Sequence, residues 1–598
     1  MLDSYRKIVS LLDRREKRHF LLLVGMSLVL ALVEVAGVLS ILPFIAIASD
    51  PTVIERSTAL SRAYELSGAT SSNQFLIMLG LGVLALYLAS VAFRALTYYA
   101  LARFAHLRAA SLGTLLMRRY LAQNYSWFLG HHSAKLSKMV LSEIEEIVRN
   151  SVVHGMRLIA YAAVAVVLVA TLMVIDIGVA LVIGGIMAGF YGLIVMSVRR
   201  RLLAEGRRRR SSDAHRFAIA QEAFGGIKQV KLLHLEPGYI ERFRRAVLAL
   251  AKSRAMTDLL KETPRHAVEG IVFGGMICLV LWILAFSERE LAEAMPLLAV
   301  YAVAGIKLAP ILQRLYSAFA IVRADKPSLD ALHHALVTEL PEGNPPHDDG
   351  STITLKRALE LRDVVYSFPT GERPALDGLS LAIEANTTVG VVGATGAGKT
   401  TLVDVILGLL TPQGGIMRVD GVPIDATNVR KWQRSVGYVP QAFFHIDDTI
   451  AVNIALGVPR ERIDRAAVER AARTANLHEF VSTLPRGYDT VIGERGSRLS
   501  GGQSQRLAIA RALYRDPDVL VFDEATSALD NLTEKAVMEA VQALGHKKTM
   551  ILIAHRLTSV RRCDQIFFLE AGRVVDVGTY DDLIRGNARF RALHEAAV

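Results

Sequence analysis

Apolar positions along this chain fall into two regimes. Between residues 19 and 320 they run together in long stretches, and from about residue 350 they come in short segments broken by polar positions. A helix needs about 20 mainly apolar residues to cross a bilayer. Six segments meet that requirement, at roughly 19–48, 74–102, 150–175, 177–198, 267–286 and 295–318. Asp176 and Gly178 mark a tight hairpin between the third and fourth, and Ser287 to Glu290 mark another between the fifth and sixth.

The long segments between spans two and three, and between four and five, are polar but periodic. Leu115, Leu116, Tyr120 and Leu121, then Val230, Leu232, Leu233 and Leu235, recur at helical spacing, which predicts membrane helices continuing into the cytosol. Residues 51–72 form the first external connection. Ile54, Leu60, Tyr64 and Leu66 with Glu55, Arg56, Arg62 and Glu65 fit an amphipathic helix on the membrane surface and an ordinary surface helix equally well. Pro341, Gly343, Pro345, Pro346 and Gly350 read as a linker. The expected organisation is a transmembrane domain over 1–338, a linker over 339–352 and a soluble domain over 353–598.

Charge adds topology. The 598 residues carry a net charge of +12 and are 52% hydrophobic, with a mean hydropathy of +0.34. The basic residues cluster beside apolar runs, which points to anionic lipid headgroups rather than nucleic acid. Arg14, Arg15, Lys17 and Arg18 precede the first span. Arg103, Arg108, Arg118, Arg119, Lys135 and Lys138 follow the second, and Arg199 to Arg201 with Arg207 to Arg210 follow the fourth. These three regions are expected to be cytoplasmic, as is the C-terminal half. The run Arg207 to Arg210 by itself reads as a solvated face. The first apolar run is too long for a signal-peptide core and reads as a first membrane helix. Cys278 and Cys563 lie in different halves and make no disulfide framework.

The soluble half carries the chemistry. Residues 388–401 read TVGVVGATGAGKTT, an apolar strand entering the G-x-x-x-x-G-K-T loop ahead of a helix near Lys399. Gly393, Gly396 and Gly398 let the backbone curl so that its N–H groups face phosphate oxygens. Lys399 adds charge toward the β- and γ-phosphates, and Thr400 offers a hydroxyl to Mg2+. Residues 519–524 read VLVFDE, a buried parallel strand ending in two acids. Asp523 is placed to hold Mg2+ and Glu524 to polarise the attacking water. Residues 499–503 read LSGGQ, a serine and two glycines at a helix start that form an anion-binding nest.

With LSGGQ between the P-loop and VLVFDE, the soluble half resembles the ATPases of ABC transporters. The resemblance implies a six-helix α-helical transmembrane domain of the exporter type, fused to a C-terminal α/β P-loop ATPase, with ATP and Mg2+ as ligands. It implies ATP contacts from Phe368, Gly393, Thr395, Gly396, Ala397, Gly398, Lys399, Thr400, Thr401 and Asp523. It gives Mg2+ contacts to Thr400, Gln441 and Asp523, and catalytic roles to Glu524, His555 and Gln441. Ser500, Gly501, Gly502 and Gln503 would meet the ATP of a partner subunit, so a homodimer with two working sites is implied. Ser527 to Asp530 match the D-loop, and Gly493, Glu494 and Gly496 match the exporter X-loop. The chain departs from the family at Phe368, where tyrosine is commoner, at His445 and Ile446, where Leu-Phe is usual, and at Ser504.

Cargo must be read from the membrane half. Ionisable residues inside spans are costly and mark function by default. Arg94, Arg265, Lys307 and Arg314 form a candidate basic path suited to phosphate or pyrophosphate. The alternative is that Arg94 pairs with Glu34 or Glu269 and that Lys307 and Arg314 snorkel. LPFIAIASD from Leu42, FRALTYYALARF from Phe93 and PRHAVEG from Pro264 resemble the PglK-type protein glycosylation flippases. That resemblance implies ATP-driven flipping of a lipid-linked anionic glycan across a bacterial inner membrane. Membrane lipids would then be partners and nucleic acid would not. Lipid A, a drug or a peptide is the competing cargo. An ATP-gated channel is the competing function, against which intact Glu524 and His555 argue.

Overall fold

The computed structural model describes all residues except 1, 41–42, 45–46, 49–50, 176, 287–290, 341–348, 370, 494–495, 524–546, 555–556 and 596–598. The chain divides into two compact units, one of residues 1–123 and 130–343, the other of 124–129 and 344–598.

The first unit is helical. Its long helices are Arg14–Leu39, Ser72–Leu121, His154–Ile175, Ile177–Gly225, Glu236–Phe286 and Leu291–His334. Among the described residues, Ser72–Leu121 and Ser133–Val167 are long and apolar enough to cross a membrane. The first periodic segment continues its apolar helix without a break, in Ser72–Leu121, which is 50 residues long. The second does not: the preceding helix ends at Gly225, Val230 and Leu232 lie in a separate short helix, Ile227–Leu232, and Leu233 and Leu235 fall in the turn beyond it. The connection over 51–72 holds two short helices, Val53–Arg56 and Thr58–Ser67.

Several of the charged groups buried in this bundle are paired. Asp325 is fully buried and accepts from Arg209 Nη2 at 2.6 Å and from Ser151 Oγ at 2.8 Å. Lys138 is buried between Glu143 at 2.7 Å and Asp213 at 3.0 Å. The arginine run is therefore divided. Arg208 projects outward with 77% of its side chain exposed, while Arg209 retains 14% and points inward. Burying Arg209 works only because its carboxylate partner Asp325 is buried with it. Pro264 sits inside a helix and has no N–H for the carbonyl of Leu260. The hydroxyl of Tyr316 supplies the missing donor to that oxygen, at 3.0 Å.

The second unit is built on two sheets. Among the described residues the strands run in order: β1 Ala358–Tyr366, β2 Leu376–Glu384, β3 Thr388–Gly393, β4 Gly414–Val419, β5 Val422–Pro423, β6 Val436–Val439, β7 Val519–Asp523, β8 Thr549–Ile553, β9 Gln565–Glu570 and β10 Arg573–Gly578. The larger sheet has the order β10-β9-β3-β8-β7-β6 and is parallel except for β10. The smaller sheet, β2-β1-β4-β5, is antiparallel. Side chains alternate across a strand, so β7, β8 and β9 each feed two cores. Leu520, Phe522, Met550, Leu552, Ile566 and Phe568 enter one core. Val519, Val521, Ile551, Ile553, Phe567 and Leu569 enter the other. Burial on both faces explains why these strands are continuous apolar runs in the sequence.

Candidate functional site

β3 stops at Gly393, and the chain turns through residues 394–398 into the Lys399–Ile406 helix. Gly396 and Gly398 have φ of +83° and +100°, conformations that residues with a Cβ resist. At Gly398 a Cβ would stand 2.5 Å from the carbonyl oxygen of Ala375, so the loop cannot relax around a larger residue. At Gly396 the space is open, so there the backbone conformation alone calls for glycine. Lys399 is 6% exposed and donates from Nζ to the carbonyls of Gly393 at 2.6 Å and Ala394 at 3.1 Å. Thr395 and Thr400 are exposed, whereas Ala397 and Thr401 are buried under the loop. The loop thus offers a buried cation and an exposed hydroxyl at one helix start, a donor set that fits a polyphosphate with Mg2+.

Asp523 closes β7 at the carboxyl edge of the same parallel sheet and is 6% exposed. The Tyr438 hydroxyl donates to its Oδ2 at 3.3 Å. Asp404, on the P-loop helix, is pushed up to about 6 by burial and by the charge of Asp523. Burial and the same carboxylate hold the Tyr438 phenol above its usual range. Tyr125, in the Tyr125–Leu129 helix grouped with this unit, is raised by burial and by Asp404. Asp404 and Tyr438 were not among the residues expected from the sequence. Asp404 lies four residues after Thr400, on the same helical face, and that spacing was the available signal. Tyr438 stands three residues before Gln441, and its role needs a partner far along the chain.

Phe368 is half-buried beyond β1, edge-on to Tyr366 with ring centroids 5.2 Å apart. Gln441 is exposed two residues after β6. Ser500 caps the Gly501–Leu513 helix, its Oγ accepting from Gln503 N at 3.2 Å while Gln503 Oε1 accepts from Ser500 N at 2.8 Å. This capping box fixes the helix start, with Gly501 exposed and Gly502 half-buried behind it. Further along that helix, Arg511 donates to the carbonyls of Phe444 at 2.6 Å and Asn453 at 2.8 Å. Asn453 in turn bonds both the N–H and the carbonyl of Ile446. The helix headed by Ser500 is thereby tied to the segment after Gln441. His445 lies in this junction, 7% exposed, with neither ring nitrogen hydrogen-bonded and its ring stacked on Phe443. Burial, then the charge of Arg511, lowers it to about 4.

Glu524, His555, Glu494 and Ser527 to Asp530 lie outside the described residues. So does the Lys307 side chain. Arg94, Arg265 and Arg314 are exposed on the Ser72–Leu121, Glu236–Phe286 and Leu291–His334 helices. The side chains of Glu34 and Glu269, the partners in the alternative reading of Arg94, are outside the described residues.

Residues 376–527 match the ABC transporter family, and residues 39–257 match the ABC transporter transmembrane region. The ATP-dependent lipid A-core flippase of Cupriavidus pinatubonensis is 33% identical over 407 residues, 67% of this chain and 68% of that protein. The protein of the same description from Saccharophagus degradans is 33% identical over 383 residues, 63% of this chain and 63%, under two thirds, of its own length. A β-(1→2)glucan export ATP-binding/permease protein of Rhizobium johnstonii is 41% identical over 264 residues, 44% of either chain. A bacterial Atm1-family ABC exporter solved with ATP bound superposes with a TM-score of 0.77 at 24% identity, over 98% of both chains.

Proposed function

The chain belongs to the ABC transporters and has their exporter fold, and on that premise we propose that it hydrolyses ATP to flip a polyprenyl-pyrophosphate-linked oligosaccharide across a bacterial inner membrane. The working form is a homodimer, with the N-terminus and the ATPase domain in the cytoplasm. The observation that carries the ATPase reading is the loop around Gly396 and Lys399, facing Asp523 on the same sheet edge.

Lys399 and the loop amides bind the phosphates, and Phe368 stacks on the base. Thr400, Asp523 and Gln441 hold Mg2+, which supplies charge neutralisation on the phosphate oxygens. Glu524 and His555 align the attacking water and the γ-phosphate. Tyr438 fixes the orientation of Asp523 by donating to one of its oxygens. Ser500, Gly501, Gly502 and Gln503 close over the nucleotide of the partner subunit. Arg94, Arg265, Lys307 and Arg314 attract the pyrophosphate of the cargo. The relatives described as lipid A-core flippases favour a second reading, with lipid A as cargo.

Proteoliposomes loaded with a fluorescent polyprenyl-pyrophosphate saccharide separate the two. ATP-dependent movement of that lipid, competed weakly by lipid A, supports the first reading. Movement of lipid A alone removes it.

A further inference from the structure

In the helical unit a cavity of about 220 Å³ opens between the Ser72–Leu121 helix and residues 145–157. Its floor is Ala102, Ala105 and Ala109, small residues on one helix face that leave room for a guest. Its wall includes a π-helical turn, Val148–Val153, a local widening often found at functional sites. The turn presents Arg149, whose carbonyl is hydrogen-bonded by the ring of His154 at 2.9 Å. Arg157 lies over the ring of Tyr98 with its guanidinium carbon 5.7 Å from the centroid. Among the described residues neither Arg149 nor Arg157 has a carboxylate within ion-pair distance, although Glu145 also lines the cavity. Arg149 is exposed and Arg157 half-buried, so both guanidiniums are accessible from the cavity mouth.

Depth identifies the guest. Ala102 ends the apolar run of its helix, and His154 opens the apolar run of the next. The cavity therefore lies where hydrocarbon gives way to headgroups on the side carrying the basic segments. A volume below that of drug-sized pockets suits a headgroup rather than a whole lipid. Two guanidiniums match the oxygens of a phosphate, and the alanine floor matches the first methylenes of a chain. We infer that this cavity is a binding site for the phosphate headgroup of a lipid in the cytoplasmic leaflet, separate from the basic path through Arg94 and Arg314. Its placement in that leaflet rests on the orientation proposed above.

The full-length protein in phosphatidylcholine nanodiscs, without nucleotide, is titrated with a short-chain phosphatidic acid and binding is read by native mass spectrometry. Saturable binding is expected, about tenfold or more weaker in R149Q/R157Q. Because that variant removes two charges near a helix junction, A102L is run beside it. It narrows the floor, leaves every charge in place, and should weaken binding similarly. Unchanged affinity in both variants overturns the site, and so does displacement of the lipid by inorganic phosphate at millimolar concentration. Binding is read without transport, so a wild type that binds phosphatidic acid but flips no glycolipid discards the cargo reading and leaves this site standing.

Discussion

Three cations of the helical unit and two of the ATPase unit are held in different ways. In the helical unit Arg108 meets Glu16, Lys138 meets Glu143 and Asp213, and Arg209 meets Asp325. In the ATPase unit Lys399 donates to carbonyls of its own loop, and Arg511 donates to the carbonyls of Phe444 and Asn453. A carboxylate cancels the charge it meets and fixes two helices together. A carbonyl dipole compensates only part of a charge and leaves field for an incoming anion. Arg511 uses its carbonyl bonds to tie two segments of the ATPase unit together, whereas Lys399 stands at the phosphate-binding loop.

The largest effect expected concerns chemistry alone. Glu524→Gln should lower ATP hydrolysis by about 10³-fold, or about 4 kcal/mol, while ATP still binds, because phosphate and Mg2+ contacts are kept and the water-polarising carboxylate is lost. Phosphate release and nucleotide titration on one preparation check this, and near-normal turnover would remove Glu524 from its role. Next comes the structural cation. Arg209→Leu leaves Asp325 buried without its cation and should cost about 3–4 kcal/mol in denaturant unfolding. The pair variant R209L/D325L should recover most of the loss, and an undisturbed single variant would erase the distinction between the units. Lys399→Ala is the reciprocal case. ATP affinity should fall about 100-fold, roughly 2.7 kcal/mol, with the melting temperature little changed.

Arg314→Ala should slow glycolipid flipping about tenfold while basal ATP hydrolysis persists, and Arg314→Lys should restore it only in part, since lysine lacks the two-pronged grip. Loss of both activities together would make Arg314 structural. The smallest effect is a pH dependence at His445. Its buried ring titrates at about 4, below the 6.5 of a free histidine. Between those values the unfolded chain binds a proton that the folded one refuses, so stability falls as pH drops. The loss should be about 1 kcal/mol at pH 5 after allowance for screening, and His445→Phe should abolish it in melts at pH 7 and pH 5.

Legibility in the sequence followed the distance between interacting residues. The P-loop was readable because Gly393 to Thr401 are contiguous and each acts through its own backbone or the next turn. The same holds for Ser500 and Gln503, whose reciprocal cap closes within three residues. Strands β7 and β8 declared their burial because both faces of a central parallel strand are covered. Arg209 was misjudged with its run as solvated, since nothing local marks Asp325, 116 positions away, as its partner. Tyr438 reaches Asp523 across 85 positions, and only the pairing of β6 with β7 brings them together.

The sequence by itself determined the family, the helical and α/β halves, and the order of the phosphate-binding motifs, because each is written in short-range periodicity or in contiguous residues with fixed backbone demands. Tertiary structure alone decided which cations are neutralised and which are not. It also grouped Asn124–Leu129 with the ATPase unit, and it opened the alanine-floored cavity beside Arg149 and Arg157. Those outcomes depend on which distant helices and strands become neighbours. The field at a buried charge is set by groups that share space with it and have no fixed relation to it along the chain.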